Sequence, residues 1–560
     1  CSLFLLMALL PVSFLSRSLS PALSNDPVLS FQDIAPQAGL LEPTIMRGTP
    51  KGDFLLSTSG GPVAAFDFNA DGLMDLFLGG SGSFPGSPET AALQRSRLYE
   101  NRRNGQFKEI SRQVGADLEG WSQGACAGDL NNDGFVDLVV TFYGKVVLLM
   151  NQNGVRLKAL DSSTVGLEAT NQRWNSGCTL LDYDRDGYLD LFVACYAKYE
   201  EGLEIFDRDE LRAGVSPVLA GFSGEHNYLF KNHAGEKFSD VSKETGILPN
   251  EAGLSFTPIS LDYNRDGWTD LFIANDSTPN RLYLNSGDGR FEEVGLLSGV
   301  AYNEDARALA GMGVDVSDYN SDGFPDLAIT NFSNQPVSLF RNFRGTSFLD
   351  VTFPDGLGDT ISFVKWGINF LDYDLDGRDD LFYSTGPIYP PGLITPFDKT
   401  EGTPNLIYRN IGGRFQRIAA SGEGGLPESR YCSRGSAAVD IDNDGRLEIV
   451  INNINGPPEL WKINNESRHS WIGLQLEGEK TNRSAVGSRV IVKTSNGEQF
   501  KEVRAASGFC SQSDSRLHFG LGRASSAEIR IEWLSGTIQE FSDVQVLNRY
   551  LTVKEGVPLH

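Results

Sequence analysis

Short runs of apolar and small residues recur along the chain, and many of them end at an acidic turn that leads into another apolar run. In the stretch 63–78, VAAF precedes the turn and DLFL follows it; in the stretch 437–452, AAV precedes it and EIVIN follows. Runs of this length, separated by turn residues, predict β-strands joined as hairpins. Glycine contributes 61 of the 560 residues, which suits many tight turns and few long helices. The pattern therefore predicts an all-β protein.

The acidic turn is one motif, D-x-[DN]-x-D-G-x-x-[DE], and it occurs seven times. The first and last copies begin 373 residues apart, an average spacing of about 62 residues. Repetition at such a spacing indicates an architecture built from one repeated unit. We call the copies loops 1 to 7 and number their positions from the first Asp. Positions 1, 3, 5 and 9 are Asp67, Asn69, Asp71 and Asp75; Asp129, Asn131, Asp133 and Asp137; Asp182, Asp184, Asp186 and Asp190; Asp262, Asn264, Asp266 and Asp270; Asp318, Asn320, Asp322 and Asp326; Asp372, Asp374, Asp376 and Asp380; and Asp440, Asp442, Asp444 and Glu448.

A second pattern follows several of the loops: an aromatic residue or Leu, then Asn, a glycine-containing turn, and Phe. It is clearest at 98–110, 229–241 and 282–294, and recurs at 339–351 and 407–418. We interpret it as a hairpin between the third and fourth strands of each unit. Seven four-stranded units predict a seven-bladed β-propeller with the loops as its first hairpins.

The last unit predicts how the ring closes. A third strand follows loop 7 near Glu459–Asn464, but the fourth-strand pattern is missing there. The missing pattern occurs near the start of the chain, at Phe31–Ile34. We expect this N-terminal strand to complete the seventh blade, which would remove an exposed sheet edge.

The loops have the composition of calcium sites. Calcium takes roughly six to eight oxygen ligands, and positions 1, 3 and 5 of a tightly curled loop converge on one point. The glycine at position 6 permits the turn, a carbonyl near position 7 can coordinate, and the acid at position 9 closes the shell. An EF-hand loop shares the first six positions, but its closing acid stands at position 12 and helices flank it. One such copy could be a metal-free turn; seven copies that all end in an acid predict up to seven structural Ca²⁺ ions.

The charge of the chain agrees with this prediction. Its formal net charge is −25, and the loops alone hold 24 carboxylates. Seven divalent cations would bring the net charge from −25 to −11 and relieve the repulsion within each loop. An acidic surface disfavours nucleic acid and anionic lipid as partners, because binding to phosphates needs basic clusters.

The repeats resemble the FG-GAP/VCBS repeat family, which occurs in the heads of integrin α-subunits and in many bacterial secreted proteins. The resemblance rests on the seven motif copies, from Asp67 to Glu448. In that family the matching loops bind calcium, and the resemblance implies the same role for the positions given above.

After Asn465 the repeat stops and short strands continue, with a hairpin turn at Asn496–Gly497. We predict a small C-terminal β-sandwich over 465–560, after a propeller over 25–464. Residues 482–556 resemble the ASPIC/UnbV domain in NRSAVGSRV, SGFCSQSDSRLHFGLG, IEWLSG and TVKEG. A propeller followed by this domain is the arrangement of the cartilage acidic protein family. For the polar residues of this domain we expect hydrogen bonds at hairpins and strand ends; they are Arg483, Arg489, Ser511, Gln512 and His518.

The N-terminal segment has the features of a secretion signal. The apolar run Leu3–Leu10 is too short to span a bilayer, and Ala22 and Ser24 are small residues at suitable positions for cleavage. We predict a signal peptide over 1–24, with a buried segment or a membrane anchor as the alternatives. No later stretch reaches transmembrane length. We expect the mature protein to be secreted and extracellular, or periplasmic or at the cell surface if it is bacterial. The remaining cysteines fit one or two disulfides or buried thiols; they are Cys126, Cys178, Cys195, Cys432 and Cys510.

Strand parity indicates where a ligand could bind. If the loops join first and second strands, two long insertions, 197–226 and 386–404, fall on the opposite face. Aromatic and basic side chains before the innermost strands could stack on sugars or hold carboxylates there; alternatively, they fill the channel entrance as packing. The ligand-binding candidates are Trp121, Arg173, Trp174, Arg307, Trp366 and Arg434, with Lys365, Arg430 and Tyr431 beside them.

Two functions remain open. The first is a secreted calcium-binding module that binds or adheres to extracellular glycans or proteins. The second is a calcium-dependent polysaccharide lyase or hydrolase that uses carboxylates of the loop face. The five histidines form no Ser/His/Asp or Cys/His pattern, and no P-loop, zinc signature or G-x-S-x-G elbow is present. The sequence therefore favours a protein that is not an enzyme, with its ligand and oligomeric state undefined.

Overall fold

The protein is described by a computed structural model that covers residues 30–44, 58–80, 95–198, 222–248, 251–388, 403–419, 425–427, 431–464, 468–545 and 547–558. The predicted signal peptide, Arg430 and most of the two long insertions lie outside the described residues. Within these ranges the chain forms 35 β-strands, so the prediction of an all-β protein is confirmed. No helix in the described ranges has the length and apolar character needed to cross a bilayer. The helices are single turns, α1 (Ala35–Ala38), α2 (Ser111–Val114), α3 (Ser162–Val165) and α4 (Gly295–Ser298), with 3₁₀ turns at Glu168–Thr170 and Gly358–Ser362.

The repeat region forms seven four-stranded antiparallel sheets, one for each loop. We give each sheet the number of its loop, which joins the first and second strands of that sheet. Sheets 1 to 4 are formed by β2 (Val63–Phe66), β3 (Asp75–Leu78), β4 (Arg97–Asn101) and β5 (Phe107–Glu109); β6 (Ser122–Gly128), β7 (Asp137–Phe142), β8 (Lys145–Gln152) and β9 (Arg156–Leu160); β10 (Asn175–Leu181), β11 (Asp190–Cys195), β12 (Tyr228–His233) and β13 (Lys237–Asp240); and β14 (Ser255–Leu261), β15 (Asp270–Asn275), β16 (Arg281–Asn285) and β17 (Phe291–Glu293).

Sheets 5 and 6 repeat this order, whereas sheet 7 takes its fourth strand, β1, from the beginning of the described chain. In β1, Phe31 lies opposite Ile463, and the register runs from Ser30–Asn464 to Asp33–Trp461. The predicted completion of the last repeat is confirmed. The strands are β18 (Val314–Ser317), β19 (Asp326–Ile329), β20 (Ser338–Phe343) and β21 (Ser347–Asp350); β22 (Lys365–Leu371), β23 (Asp380–Thr385), β24 (Leu406–Asn410) and β25 (Phe415–Arg417); and β26 (Cys432–Val439), β27 (Glu448–Ile454), β28 (Glu459–Asn464) and β1 (Ser30–Asp33).

The first strands of the seven sheets contact one another in a closed ring, and sheet 7 contacts sheet 1 through β26 and β2. The apolar cores lie between neighbouring sheets. In β7, Val140 packs towards sheet 1 while Val139 packs towards sheet 3. Because both faces of such a strand are buried, it is a continuous apolar run in the sequence. A ring of four-stranded sheets with cores between them is consistent with a propeller.

Neighbouring sheets 2 and 3 are also joined covalently. Cys126 of β6 and Cys178 of β10 form a disulfide, with their Cα atoms 6.0 Å apart. Cys195 and Cys510 are buried thiols, and Cys432 is a partly exposed one. Disulfides persist in oxidising compartments, so the cross-link agrees with the predicted secretion.

The C-terminal region forms two sheets that share one apolar core. Ile472 and Phe519 of the first sheet and Val490 and Ile531 of the second are fully buried in it. The hairpin predicted at Asn496–Gly497 joins two paired strands. The strands are, in a three-stranded sheet, β32 (Leu517–Gly522), β29 (Ser470–Glu477) and β35 (Tyr550–Lys554), and in a four-stranded sheet, β31 (Gly497–Glu502), β30 (Arg489–Thr494), β33 (Ala527–Glu532) and β34 (Ile538–Val544).

A segment of this C-terminal region, residues 507–514, enters the centre of the ring, and we call it the plug. Its backbone bonds to first strands on several sides. The Ala65 N–H donates to the Gln512 carbonyl at 3.1 Å, and the Val314 N–H donates to the Gly508 carbonyl at 2.9 Å. The Gln512 side chain exchanges hydrogen bonds with the backbone of Ala127. The plug therefore ties sheets 1, 2 and 5 together at the axis.

Phe509 is the apolar centre of the plug. Only 1% of its surface is exposed, and its ring centroid lies 5.1 Å from that of Trp366 and 5.4 Å from that of Phe256. Trp121 and Trp174 belong to the same buried cluster. The channel between the first strands is thus filled by aromatic side chains.

We expect Phe509→Ala to lower the free energy of unfolding by about 3–5 kcal/mol, because the truncation leaves a cavity among rigid aromatic neighbours. Chemical denaturation of the full chain measures the change. Phe343→Ala is the matched control: 58% of Phe343 is exposed, and its loss should cost no more than about 0.5 kcal/mol. Equal effects of the two substitutions would contradict a stabilising role of the plug.

Candidate metal centres

The seven loops have one backbone conformation. The position-6 glycine has φ between 83° and 92° in every copy, a region that strongly favours glycine. Position 4 is also left-handed, with φ between 57° and 61°, although it is occupied by residues as different as Ala70, Arg185 and Leu375. A left-handed non-glycine residue costs about 1–2 kcal/mol. The contacts of the acidic side chains must offset this cost, and the sequence motif gave no sign of it.

Those contacts fold the loop onto its own carboxylates. In all seven copies the glycine N–H donates to the position-1 carboxylate, at 2.7–3.2 Å. The N–H of position 7 donates to the position-5 carboxylate in all seven as well, at 2.8–3.0 Å. Backbone donors therefore hold positions 1 and 5 with their oxygens turned inward.

The position-9 acid links the loop to the third strand by hydrogen bonds. In loops 1 to 6 one of its oxygens accepts the backbone N–H of a third-strand Asn at 2.6–2.8 Å. In loops 1 to 4 and 6 the other oxygen accepts the N–H of position 2. In loop 7 one oxygen of Glu448 accepts the N–H of position 2. Position 9 thus has a structural role in addition to any contact with a metal.

The same third-strand Asn links neighbouring sheets, a role that sequence reasoning missed. Its side-chain amide donates to the position-2 carbonyl of the preceding loop at 2.7–2.9 Å. Asn101 of sheet 1 reaches Ile441 of loop 7, so this contact also closes the ring. This Asn is the recurring Asn of the second sequence pattern within the chain, but the pattern predicted only a hairpin and not the contact between sheets. These linking residues are Asn101, Asn151, Asn232, Asn285, Asn342 and Asn410.

Three loops bring acidic oxygens close enough to hold a metal ion. In loops 3, 6 and 7, oxygens of positions 1, 3 and 9 all lie within 4.8 Å of one another. Within the described residues, several buried oxygens of these loops accept no hydrogen bond: Oδ1 of Asp182 and Asp184, Oδ1 of Asp442 and Oε1 of Glu448. A buried charged oxygen without a donor is costly unless a cation binds it. The donor set, made only of carboxylates and amides, suits a hard oxygen-binding cation.

The electrostatics lead to the same conclusion. Burial raises the pKa of Asp75 to about 8 and that of Asp137 to about 7, and the carboxylates at positions 1 and 5 add to the rise. Burial raises the pKa of Asp190 and Glu448 well above the ordinary range. A bound cation would favour the ionised form of each group.

The C-terminal region lies against the loops. Arg489 forms an ion pair with Asp262, and the Tyr550 hydroxyl donates to Asp440 at 3.0 Å; both acids are position-1 residues. The Asp129 N–H, also at position 1, donates to the Ser484 hydroxyl at 2.9 Å. Arg489 was predicted to form hydrogen bonds at hairpins or strand ends; besides Glu532 of its own domain, at 3.5 Å, it pairs with Asp262 of loop 4.

Of the remaining polar candidates, Ser511 and Gln512 also bond to the repeat sheets, as parts of the plug. The Arg483 side chain bonds within its own domain, to Glu477, while its backbone N–H donates to Asn132 of loop 2. His518 is buried against Trp471, with a ring centroid distance of 5.6 Å. Three of the five therefore join the two regions through their side chains.

The ligand-binding candidates separate into two groups. Trp121, Trp174, Trp366 and Arg434 are at most 3% exposed, and the Arg434 guanidinium lies 4.0 Å from the centre of the Trp366 ring. Their prediction as ligand contacts conflicts with this burial, because no ligand can reach them in this conformation. They pack around the plug, as the alternative interpretation had it.

Arg173 and Arg307 are different. Arg173 is half-buried and pairs with Glu225 at 2.7 Å, while Arg307 is exposed in a turn whose N–H donates to the Asn303 side chain. Lys365 is fully buried, and its ammonium donates to three backbone carbonyls. Tyr431 is 38% exposed. Accessible candidates thus remain at Arg173, Arg307 and Tyr431.

Three of the four described histidines have structural contacts, and the fourth, His226, is exposed. His233 lies 2.9 Å from the Ser239 hydroxyl on an exposed hairpin, and His469 contacts the Asp374 carbonyl. Burial lowers the pKa of His518 to about 3, so its ring is neutral at physiological pH. Among the described residues, these histidines do not sit in a nucleophile–base–acid arrangement.

Comparison with known sequences agrees with both regions of the fold. Residues 67–140, 129–193 and 262–329 match the FG-GAP-like repeat, and these ranges contain loops 1 to 5. Residues 478–558 match the family described as ASPIC and UnbV. The family resemblance of the sequence is therefore confirmed in both halves.

Among solved structures, the chain is similar to a lectin of Agrocybe aegerita described as recognising non-reducing terminal N-acetylglucosamine. The TM-score is 0.37 at 16% identity, covering 66% of this chain and 85% of the lectin. The BP39L lectin of Burkholderia pseudomallei gives a TM-score of 0.40 at 8% identity, covering 72% of this chain and 96% of the lectin. Neither likeness bears on function.

Among curated proteins, cartilage acidic protein 1 of Xenopus tropicalis is 23% identical over 483 residues, which cover 74% of this chain and 70% of the relative. Cartilage acidic protein 1 of Homo sapiens is 22% identical over 486 residues, 74% of this chain and 69% of the relative. The chain therefore consists of FG-GAP-like repeats followed by an ASPIC and UnbV domain, and it is homologous to cartilage acidic protein 1.

Proposed function

We propose that this protein is a secreted, calcium-binding, seven-bladed propeller that acts as a non-catalytic binding or adhesion module for an extracellular glycan or protein. The propeller comprises residues 25–464, after a signal peptide over 1–24, and the C-terminal domain comprises 465–560. The observation that carries the proposal is the clustering of buried acidic oxygens, several without a donor, in loops 3 and 7. The homology to cartilage acidic protein 1 supports an extracellular role.

Calcium has a structural role in this proposal. Each ion joins the two ends of a loop and so fixes the hairpin between the first and second strands of a blade. The ligands are the seven sets of positions 1, 3, 5 and 9, with the position-9 acid also bracketing the third strand. Since the backbone already directs the oxygens of positions 1 and 5 inward, binding requires little rearrangement.

The recognition surface lies on the face away from the loops. The C-terminal domain already covers part of the loop face, through contacts such as those of Arg489 and Tyr550. On the other face, connections between second and third strands and between sheets remain available for recognition. Of the predicted ligand contacts, Arg173, Arg307 and Tyr431 are accessible, and they suit a sugar or an acidic group.

Removal of calcium should destabilise the fold. We expect exhaustive chelation to lower the melting temperature by many degrees, because a ligand that binds only the folded state stabilises it by mass action. Differential scanning calorimetry with and without added calcium measures the shift. An unchanged melting temperature after chelation would contradict calcium binding by the loops.

A variant locates the metal. Asp182→Asn combined with Asp186→Asn keeps the shape of loop 3 but removes two charges, so the number of bound calcium ions should fall by one. Atomic absorption on the dialysed protein counts the ions. Asp305→Asn, an exposed acid outside the loops, is the control and should leave the number unchanged. Equal ion counts in both variants would exclude loop 3 as a site.

Calcium affinity should depend on pH. Carboxyl groups whose pKa is raised in the metal-free protein, such as Asp75 at about 8 and Asp182 at about 7, hold a proton below these values. Calcium must displace that proton, so affinity should fall as the pH drops from 8 to 6, and binding should release protons. Calorimetric titration in buffers of different ionisation enthalpy measures both effects. Affinity that is constant over this range, without proton release, would contradict the assignment.

A screen of glycans and extracellular matrix proteins tests the recognition role. We expect the calcium-loaded protein to capture a ligand and leave it intact, and Arg307→Ala to weaken that capture relative to Asp305→Asn. The same ligands, incubated with the protein and sized by chromatography, report cleavage. Chain cleavage of an acidic polysaccharide that depends on calcium would replace this proposal with a lyase or hydrolase.

A further inference from the structure

The seven loops are of two kinds, which differ at position 3. Loops 1, 2, 4 and 5 have Asn there, and its amide donates to the position-5 carboxylate at 2.9–3.4 Å. Loops 3, 6 and 7 have Asp, which cannot donate when ionised. In these three loops two carboxylates face each other where the others have an amide and a carboxylate.

In the three Asp loops, a basic side chain from the third strand lies next to the carboxylates of positions 3 and 5. The Lys231 ammonium contacts Asp184 and lies 3.0 Å from Asp186 in loop 3. The Arg409 guanidinium lies 2.7 Å from Asp374 in loop 6.

Loop 7 has the same arrangement. The Lys462 ammonium lies 2.7 Å from Asp442, 3.8 Å from Asp444 and 3.6 Å from Glu448. In loops 3, 6 and 7 alike, the base stands between the acids of positions 3 and 5.

All three bases occupy the same position in their third strands. In each sheet, the residue just before the base pairs with position 10 of the loop. In sheets 1, 2 and 4 this position holds Glu100, Met150 and Leu284, none of which carries a positive charge. In sheet 5 it holds Arg341, but that guanidinium turns to Asp355, at 2.5 Å, and to the Tyr319 hydroxyl.

A third-strand base therefore contacts the position-3 acid wherever that position is Asp, and in the other four loops the described structure shows no third-strand base on a loop carboxylate. The match holds over all seven repeats. Counted over positions 1, 3, 5 and 9 and the third-strand base alone, the Asn loops and the Asp loops both have a charge of −3; further bases contact loop 4 (Arg489), loop 6 (Arg378) and loop 7 (Arg446).

We propose that Lys231, Arg409 and Lys462 are built-in counter-ions that set the calcium affinity of loops 3, 6 and 7, an inference that rests on the proposed calcium binding. In the metal-free protein each base screens the fourth carboxylate. When calcium binds, the base opposes it by repulsion and by competing for the oxygens of positions 3 and 5. The bases thus bring loops with a more acidic ligand set to the affinity of the Asn loops.

The test is Lys231→Met in the full chain. Without its base, loop 3 presents a charge of −4, and we expect its calcium dissociation constant to fall about tenfold, a value that allows for the partial exposure of Lys231. Tenfold tighter binding adds about 1.4 kcal/mol to the calcium-dependent gain in the free energy of unfolding. In chelator the same variant should be less stable than the wild type. Denaturation in chelator and in saturating calcium measures both states.

Two further variants control the result. Lys231→Met with Asp184→Asn restores a charge of −3 and should return the calcium-dependent gain to the wild-type value. Arg341→Met removes a base from the same register position in sheet 5, where the base contacts the Tyr319 hydroxyl and Asp355 but, in the described structure, no carboxylate ligand of loop 5. It should lower stability equally with and without calcium.

The outcomes are distinguishable. A gain in Lys231→Met that is equal to or smaller than that of the wild type would overturn the counter-ion role, and so would an enhanced gain that persists in the double variant. If the wild type itself gains no stability from calcium, the proposed function fails at an earlier step. If Lys231→Met does not fold in chelator, calorimetric titration of the calcium-purified protein against a competing chelator gives the same comparison.

Discussion

Repulsion between carboxylates held a few ångströms apart is the constraint on which the repeat is built. Each loop brings three or four acids together, with the position-9 acid buried, and most of the local contacts offset their charge. Backbone N–H groups point at positions 1 and 5, and two more bracket position 9. Where a fourth acid is added, the neighbouring strand adds a base. A divalent cation is the one compensation that would act on all the oxygens of a loop together.

The same constraint connects the repeats to one another. The third-strand Asn holds its own position-9 acid with its backbone and the preceding loop with its side chain. One Asn therefore connects each of these position-9 acids to the preceding loop. The C-terminal domain joins this network from outside, since Arg489 and Tyr550 contact position-1 acids of loops 4 and 7. The ring and its attached domain consequently share carboxylates, and their stabilities are linked.

The sequence was most informative where the structure depends on short-range pattern. The seven motif copies located every first hairpin, and the pattern at Phe31–Ile34, missing after loop 7, predicted the strand that completes sheet 7. The sequence pattern did not predict the contacts of side chains whose partners are far away in the sequence. Asn232 was placed in a hairpin, but its contact with Leu130 of the neighbouring repeat follows only from the ring. Arg489 gave no sign that it would pair with Asp262, which is more than 200 residues away.

The tryptophans show the same limit. Trp121, Trp174 and Trp366 were correctly placed near the channel, but whether they meet solvent depends on Phe509, which belongs to another domain. Their burial could not be predicted from their own surroundings. Position 4 of the loops is a comparable case, because Leu375 and Ala70 have no preference for the left-handed backbone that the acidic contacts impose.

The pairing of β1 with β28 has a consequence for biogenesis. Ser30 and Asn464 are synthesised hundreds of residues apart, as are Ala65 and Gln512, so β1 must remain without its partner until β28 has been synthesised. During that interval the edge of sheet 7 is unpaired and the central channel of the incomplete ring is exposed. Under the proposed secretion, export before β28 is made would leave the ring to be completed on the far side of the membrane. The oxidising compartment that the proposal implies would supply the oxidant for the Cys126–Cys178 disulfide as the ring closes.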